Sequence, residues 1–161
     1  MRRKCIAVGV FVLICGFLLW WFSASQVVQR KTEGFLEVMS LGRGVGSGGR
    51  HLKVYKLNGL LAKSIDIKAP FLGDDKRSVM RDDIESAYSW LCDTAVETKF
   101  EMDEVESISI DGDQAILQCL ITALAEMPKV RSLDGQYRVI FTWNMIEDQW
   151  RLSSMNWEEA P

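Results

Sequence analysis

The chain has 161 residues, 48% apolar, 25% charged and 10% aromatic, a balance that excludes a disordered or collagen-like chain and leaves room for one domain of ordinary size. Four cysteines are too few for a disulfide scaffold, and a single histidine, His51, speaks against a histidine-built metal site, so neither metal nor cofactor is expected. The net charge of −3 is unevenly placed: all 22 acidic residues follow residue 32, while Arg2, Arg3 and Lys4 precede everything else, which argues against a nucleic-acid partner.

Residues 5–22, from Cys5 to Phe22, form an 18-residue run without a charge, directly after that basic triplet. In hydrocarbon such a run must be helical, because only then are its backbone polar groups satisfied internally, and at ~1.5 Å per residue it reaches about 27 Å. Residues 1–25 therefore read as a basic tail and a transmembrane signal anchor, with Trp20 and Trp21 at one membrane interface and Arg2, Arg3 and Lys4 at the other. Positive charge keeps the short tail in the cytoplasm, so the expected location is a bacterial inner membrane with the C-terminal part exported to the periplasm. The alternative is a cleaved signal peptide, with Ser23-Ala24-Ser25 as the processing site and a secreted product; the run exceeds the usual apolar core of roughly 7 to 15 residues.

Residues 26–50 read as a juxtamembrane helix followed by a glycine-rich linker. Val27, Val28, Phe35, Leu36, Val38, Met39 and Leu41 fit a helix loosely, and Gly42 to Gly49 holds five glycines in eight residues. Gly44, Gly46 and Gly49 satisfy the dinucleotide-loop pattern, and Arg50-His51 follows where a phosphate loop has lysine and a hydroxyl. Both cradles need a buried strand feeding the loop, and the segment before it is polar and helix-like, so a flexible joint is the expectation.

Residues 51–161 are expected to form the folded domain. Helical spacing runs from His51 to Ile65, a short extended piece covers Ile65 to Ala69, and a helix capped by Asp75 extends to about Thr98, with Met80, Ile84, Tyr88 and Leu91 on one face. Alternation then replaces the helical period and predicts strands at Val105–Ile110, Ala115–Met127, Tyr137–Ile146 and Trp150–Trp157. Ala115, Leu117, Cys119, Ile121, Ala123 and Ala125 make one wholly apolar strand face, repeated by Tyr137, Val139, Phe141, Trp143 and Met145. Helices followed by long antiparallel strands make an α+β domain with helices packed on one side of a curved sheet.

This order of elements resembles the nuclear transport factor two-like superfamily, the cone-shaped fold shared with ketosteroid isomerase, scytalone dehydratase and polyketide cyclases. The likeness rests on the helix ending in Ser64-Ile65-Asp66-Ile67, the helix from Asp75, the hairpin Ile108-Ser109-Ile110-Asp111-Gly112-Asp113-Gln114-Ala115 and the closing Asp148-Gln149-Trp150-Arg151-Leu152, and covers residues 51–158. In the isomerase-like enzymes the family implies an aspartate that takes a proton beside a carbonyl, with a tyrosine and a second acid at the enolate oxygen. Asp66 and Tyr55 stand in loosely similar places as catalytic candidates, and no second acid or strand histidine accompanies them.

Competing readings accompany each candidate. Alternation makes Asp66 a solvated strand residue and Tyr55 a half-wet helix residue; Tyr88, Phe141 and Trp143 either line an apolar pocket or fill the core. The acidic groups Asp82, Asp83 and Glu85, then Glu101, Asp103, Glu104 and Glu106, lack calcium-loop spacing and read as solvated faces. Cys92 and Cys119 either join in a disulfide or remain two buried thiols. The expectation is an exported, membrane-anchored binding or scaffold domain, tied to the bilayer by residues 5–22 and to a protein partner or second copy through the sheet; the alternative is an isomerase- or dehydratase-like enzyme for an apolar small molecule. Inner-membrane assembly factors of type IV secretion systems resemble this plan.

Overall fold

The computed structural model describes residues 23–43, 46–70, 76–128 and 132–160. The expected anchor, with Arg2, Arg3, Lys4, Trp20 and Trp21, and the expected cap Asp75 lie outside the described residues. Among the described residues no helix is long and apolar enough to cross a membrane.

The elements run α1 (Ala24–Met39), α2 (Ser47–Leu60), β1 (Leu61–Lys68), β2 (Arg77–Met80), α3 (Arg81–Thr94), β3 (Glu97–Asp111), β4 (Gln114–Glu126), β5 (Leu133–Ile146) and β6 (Gln149–Glu159). The six strands form one sheet in the order β2-β1-β6-β5-β4-β3. All neighbours are antiparallel except β1 and β6, so the sheet is mixed and not wholly antiparallel as the sequence suggested. Helices cover one face of it.

The register of β4 and β5 follows from their apolar faces. Ala115 lies opposite Trp143, Leu117 opposite Phe141, Cys119 opposite Val139 and Ile121 opposite Tyr137, so small residues face large ones and the two apolar rows share the concave side. Short turns close the neighbouring hairpins. Glu147 and Asp148 both take positive φ, 51° and 57°, as a two-residue turn matched to strand twist requires, and Gly112 sits at φ 54°.

β3 begins at Glu97, eight residues before the predicted Val105, because two bulges hide its alternation. Asp103 and Glu106 are extra residues, so Thr98, Phe100, Met102, Val105, Ile108 and Ile110 all keep to the inner side despite spacings of two and three. A third bulge at Ser153 does the same for β6, where the serine hydroxyl donates to the Thr142 carbonyl at 3.1 Å. The extra twist at each bulge bends the sheet around its helices.

α1 belongs to this packed domain and is not a stalk outside it. Val28, Thr32, Phe35, Leu36 and Val38 are buried on the concave face. The Thr32 hydroxyl donates to the Val28 carbonyl at 3.0 Å and accepts from the Trp143 indole at 3.1 Å; the Phe35 ring meets Phe141 edge-on at 6.0 Å. At its end α1 is stitched to β3: Leu41 and Thr98 exchange backbone hydrogen bonds of 2.8 and 3.0 Å, and the Phe100 amide donates to the Ser40 hydroxyl at 2.9 Å.

The glycine-rich segment is held rather than free at its C-terminal part. Gly46 precedes α2, and Arg50, one turn in, is buried with its guanidinium among carbonyls. It donates to Cys92 at 3.0 Å, Ala95 at 2.8 Å, Val96 at 3.3 Å and Gly42 at 3.1 Å. The charge sits at the negative end of the α3 dipole. His51 pairs with Asp93 at 3.1 Å, so the two residues that follow the glycines serve helix packing, and α1 rather than a strand precedes the loop. The helix expected over 75–98 is shorter, Arg81–Thr94, because Ile65 pairs with Val79 and takes residues 77–80 into the sheet.

Candidate ligand cavity

The concave rows fall into two groups. Under α1, Trp143 and Phe141 fill the space and are 0% exposed. Toward the other end the inward positions carry Ala123, Ala125 and Gly135, where Phe100 faces Ala123 and Ala125 faces Leu133. Small side chains on the central strands, and a helix that ends at Met39, leave volume between α1 and the sheet.

That volume is a cavity of about 860 Å³. Phe35, Leu36 and Met39 of α1 form one wall. Phe100, Tyr137 and Trp157 form the opposite one, with Phe100 and Trp157 edge-on at 6.1 Å and Tyr137 and Trp157 at 5.8 Å. Ile67, Pro70 and Met155 close the side toward β1, and Met127 and Leu133 the side toward the β4–β5 loop. Ser132, Asp134 and Glu159 supply the polar groups. Glu159 pairs with Tyr137 and so ends the concave row at the rim. Among the described lining residues there is no histidine, cysteine, lysine or arginine.

The catalytic candidates do not meet here. Asp66 projects from β1 on the side opposite the buried Ile65 and the cavity-lining Ile67; Lys76 reaches it at 2.8 Å, and hydrogen bonds from Lys76 and Ser78 hold its carboxyl below the ordinary range. Tyr55 stands on α2 with 81% of its surface exposed. Neither of these two candidates lines the cavity.

Tyr88, Phe141 and Trp143 are also not pocket residues but core. The Tyr88 hydroxyl donates to the Val38 carbonyl and joins α3 to α1, and burial pushes its ionisation above the ordinary tyrosine value. Cys92 and Cys119 are separate buried thiols, not a disulfide. Burial, with a smaller contribution from Glu106, pushes the Cys119 thiol up to about 12, which leaves it without nucleophilic character at neutral pH. Of the two readings of Phe141 and Trp143, pocket or core, the structure has the core one, and Tyr137 on the same face of β5 lines the cavity. Alternation identifies a face, and only the position of the covering helix shows where that face is left open.

On the convex face the two bulge residues organise the surface. Asp103 accepts from the Thr122 hydroxyl at 2.7 Å and the Gln136 amide at 3.0 Å, and Glu106 takes the Arg138 guanidinium at 2.9 Å together with the Gln118 amide at 2.6 Å. These donors lower both carboxyls, led by Gln136 for Asp103 and Arg138 for Glu106. Asp103 and Glu106 of the acidic cluster are thus partnered across the sheet.

No model of a known protein family matches the chain, and no curated protein is significantly similar to it in sequence. Solved structures match its fold. An NTF2-like protein from Cytophaga hutchinsonii superposes with a TM-score of 0.67 over 86% of this chain and 100% of its own, at 15% identity. A proposed dehydratase of the NTF2-like family from Streptomyces avermitilis gives 0.61 over 84% and 96%, at 17% identity. A proposed scytalone dehydratase from Novosphingobium aromaticivorans gives 0.60 over 84% and 83%, at 14% identity. The described domain thus has the nuclear transport factor two-like fold; identities of this size speak to fold alone.

Proposed function

We propose that this protein is a membrane-tethered, exported binding domain that encloses an apolar small molecule in its cone cavity and performs no chemistry on it. The observation that carries the reading is the cavity: about 860 Å³, walled by aromatic and aliphatic side chains, with its carboxylates at the rim. A site of that size accommodates an organic molecule of several rings, and a few polar groups suffice to orient it. The aromatic wall of Phe100, Tyr137 and Trp157 suits a flat, partly unsaturated body. The ionisable groups in the described lining are the Tyr137 hydroxyl and the exposed carboxylates Asp134 and Glu159, and the carboxylate and tyrosine named from the sequence, Asp66 and Tyr55, lie elsewhere.

The tether rests on the uncharged run at residues 5–22 behind Arg2, Arg3 and Lys4. Fusing alkaline phosphatase after Pro161 tests it: activity of the fusion supports export, and an inactive, stably produced fusion contradicts it. Cavity binding is tested on the full-length chain by titrating a neutral polycyclic fluorophore against the wild type and Ala125→Phe. The larger ring fills the cavity from β4, so saturable binding is expected to disappear while far-ultraviolet circular dichroism is unchanged. Equal binding by both proteins would contradict the proposal.

A further inference from the structure

The aromatic wall of the cavity is assembled from strands that are not neighbours. Phe100 lies on β3 and Trp157 on β6, three strand spacings apart, or about 14 Å along a flat sheet. Their ring centroids are nevertheless 6.1 Å apart. Level with Phe100 the strands between them carry Ala123 and Gly135, too small to keep the rings apart as the bulged sheet curves. Gly135 also makes room for Tyr137: a Cβ there would stand 3.6 Å from the edge of the phenol ring and from its hydroxyl, so this ring lies back along β5 toward the rim. Phe100 and Tyr137 meet Trp157 at 75° and 67°. Rings set at steep angles around a space offer it faces as well as edges, and the faces carry the negative side of the aromatic quadrupole.

The charge at the mouth has the same sign. Glu159 is the cross-strand partner of Tyr137, and β6 is held in register to its end by the Ala160 amide, which donates to the Gln136 carbonyl at 3.1 Å. Two residues from Trp157, Glu159 shares its face of the strand. Among the described residues Glu159 has no cationic partner, and the described lining adds Asp134 as a second acid and no lysine, arginine or histidine. An anionic amphiphile would meet the carboxylate and the ring faces without a compensating charge, and a neutral one would leave the carboxylate unused. A cation attached to an apolar body satisfies both, since ring faces and a carboxylate attract the same charge.

We propose that the ligand of this cavity is an apolar molecule bearing a cationic nitrogen, a protonated or quaternary amine, that lies at the mouth between Glu159 and the rings of Phe100, Tyr137 and Trp157. The inference rests on the cavity reading above and adds to it the charge of the ligand and its orientation, with the apolar body inward and the ammonium at the rim.

The test uses the full-length chain in a maltoside detergent, with partition into protein-free micelles subtracted, and anthracene probes that differ at one substituent: methyl, trimethylammonium-methyl or carboxylate. Fluorescence titration is expected to rank them ammonium, methyl, carboxylate, with the ammonium probe bound roughly tenfold more tightly than the methyl one. Glu159→Gln should cut that ratio to about threefold, and Phe100→Leu, which keeps the wall apolar but removes a ring face, should lower it as well. Glu158→Gln removes the same charge one residue away, on the opposite face beside Arg138, and should leave the ratio as it is. Equal affinities for the ammonium and methyl probes overturn the proposal while cavity binding stands, as does a ratio that falls equally in Glu158→Gln. Saturable binding of neither probe overturns this proposal and the cavity reading together.

Discussion

The rows Ala115–Trp143–Leu152 and Leu117–Phe141–Met155 lie under α1, where each small side chain is met by a large one and Thr32 takes the one polar hydrogen. On the same face of the same strands the row Ala125–Leu133 borders the cavity instead, and the row Ala123–Gly135 beside it pairs two small residues. One end is built as a core and the other as a vessel, from a change in side-chain size and the point at which a helix stops. On the proposed function, stability belongs chiefly to the first region and ligand selectivity to the second, and the two should respond differently to the same kind of substitution.

The largest separation is expected from paired tryptophan truncations. Trp143→Ala should remove about 3–5 kcal/mol in denaturant unfolding, since the enclosed site cannot collapse around the deletion. Trp157→Ala, beside volume that already exists, should cost roughly 1–2 kcal/mol while abolishing binding of the neutral fluorophore. Comparable losses of stability would erase the distinction between the two ends.

A smaller effect sharpens the description of the packed end. Thr32→Val keeps the volume but leaves the Trp143 indole N–H buried without an acceptor, so a loss of about 1–3 kcal/mol is expected by the same assay. Ala125→Phe should be near neutral in stability, within about 1 kcal/mol, because it occupies empty space. Its expected effect is on binding.

The pH dependence of Cys119 is the weakest of these. Because burial raises its folded pKa from 9.0 to about 12, the neutral thiol is the form the fold accepts. That contribution is fully present below the unfolded thiol value and declines as pH rises from there toward about 12. Cys119→Ala should remove the corresponding alkaline decline in melting temperature, and a thiol reagent at pH 8 should modify Cys119 only after denaturation.

Much of this architecture was legible in the residues. The alternation of Ala115 to Ala125 and of Tyr137 to Met145 specified both the strands and their shared inner face, and Asp111-Gly112-Asp113 marked a turn. The first half of β3 was not legible, since the bulges at Asp103 and Glu106 turn a period of two into an irregular series and make a strand resemble a charged loop. α1 was recognised as a helix but not as part of the core, because Gly34 faces the α1–α2 groove and so blurs a stripe that is complete on the sheet side. Arg50 was also missed as an anchor, for its partners are backbone carbonyls far along the chain and carry no sequence signature. The cavity was the hardest to see: Ala123, Ala125 and Gly135 read as strand residues of unremarkable size, and their smallness acquires meaning only once α1 is known to end at Met39.

Indole N–H signals in nitrogen-15 spectra of the full-length chain offer the most direct test of a hollow end beside a solid one. On saturation with a neutral polycyclic ligand, the Trp157 signal is expected to shift and to show contacts to ligand protons, while the Trp143 signal, held by Thr32, stays in place. A shift confined to Trp143, or none at either residue at saturating ligand, would contradict the account.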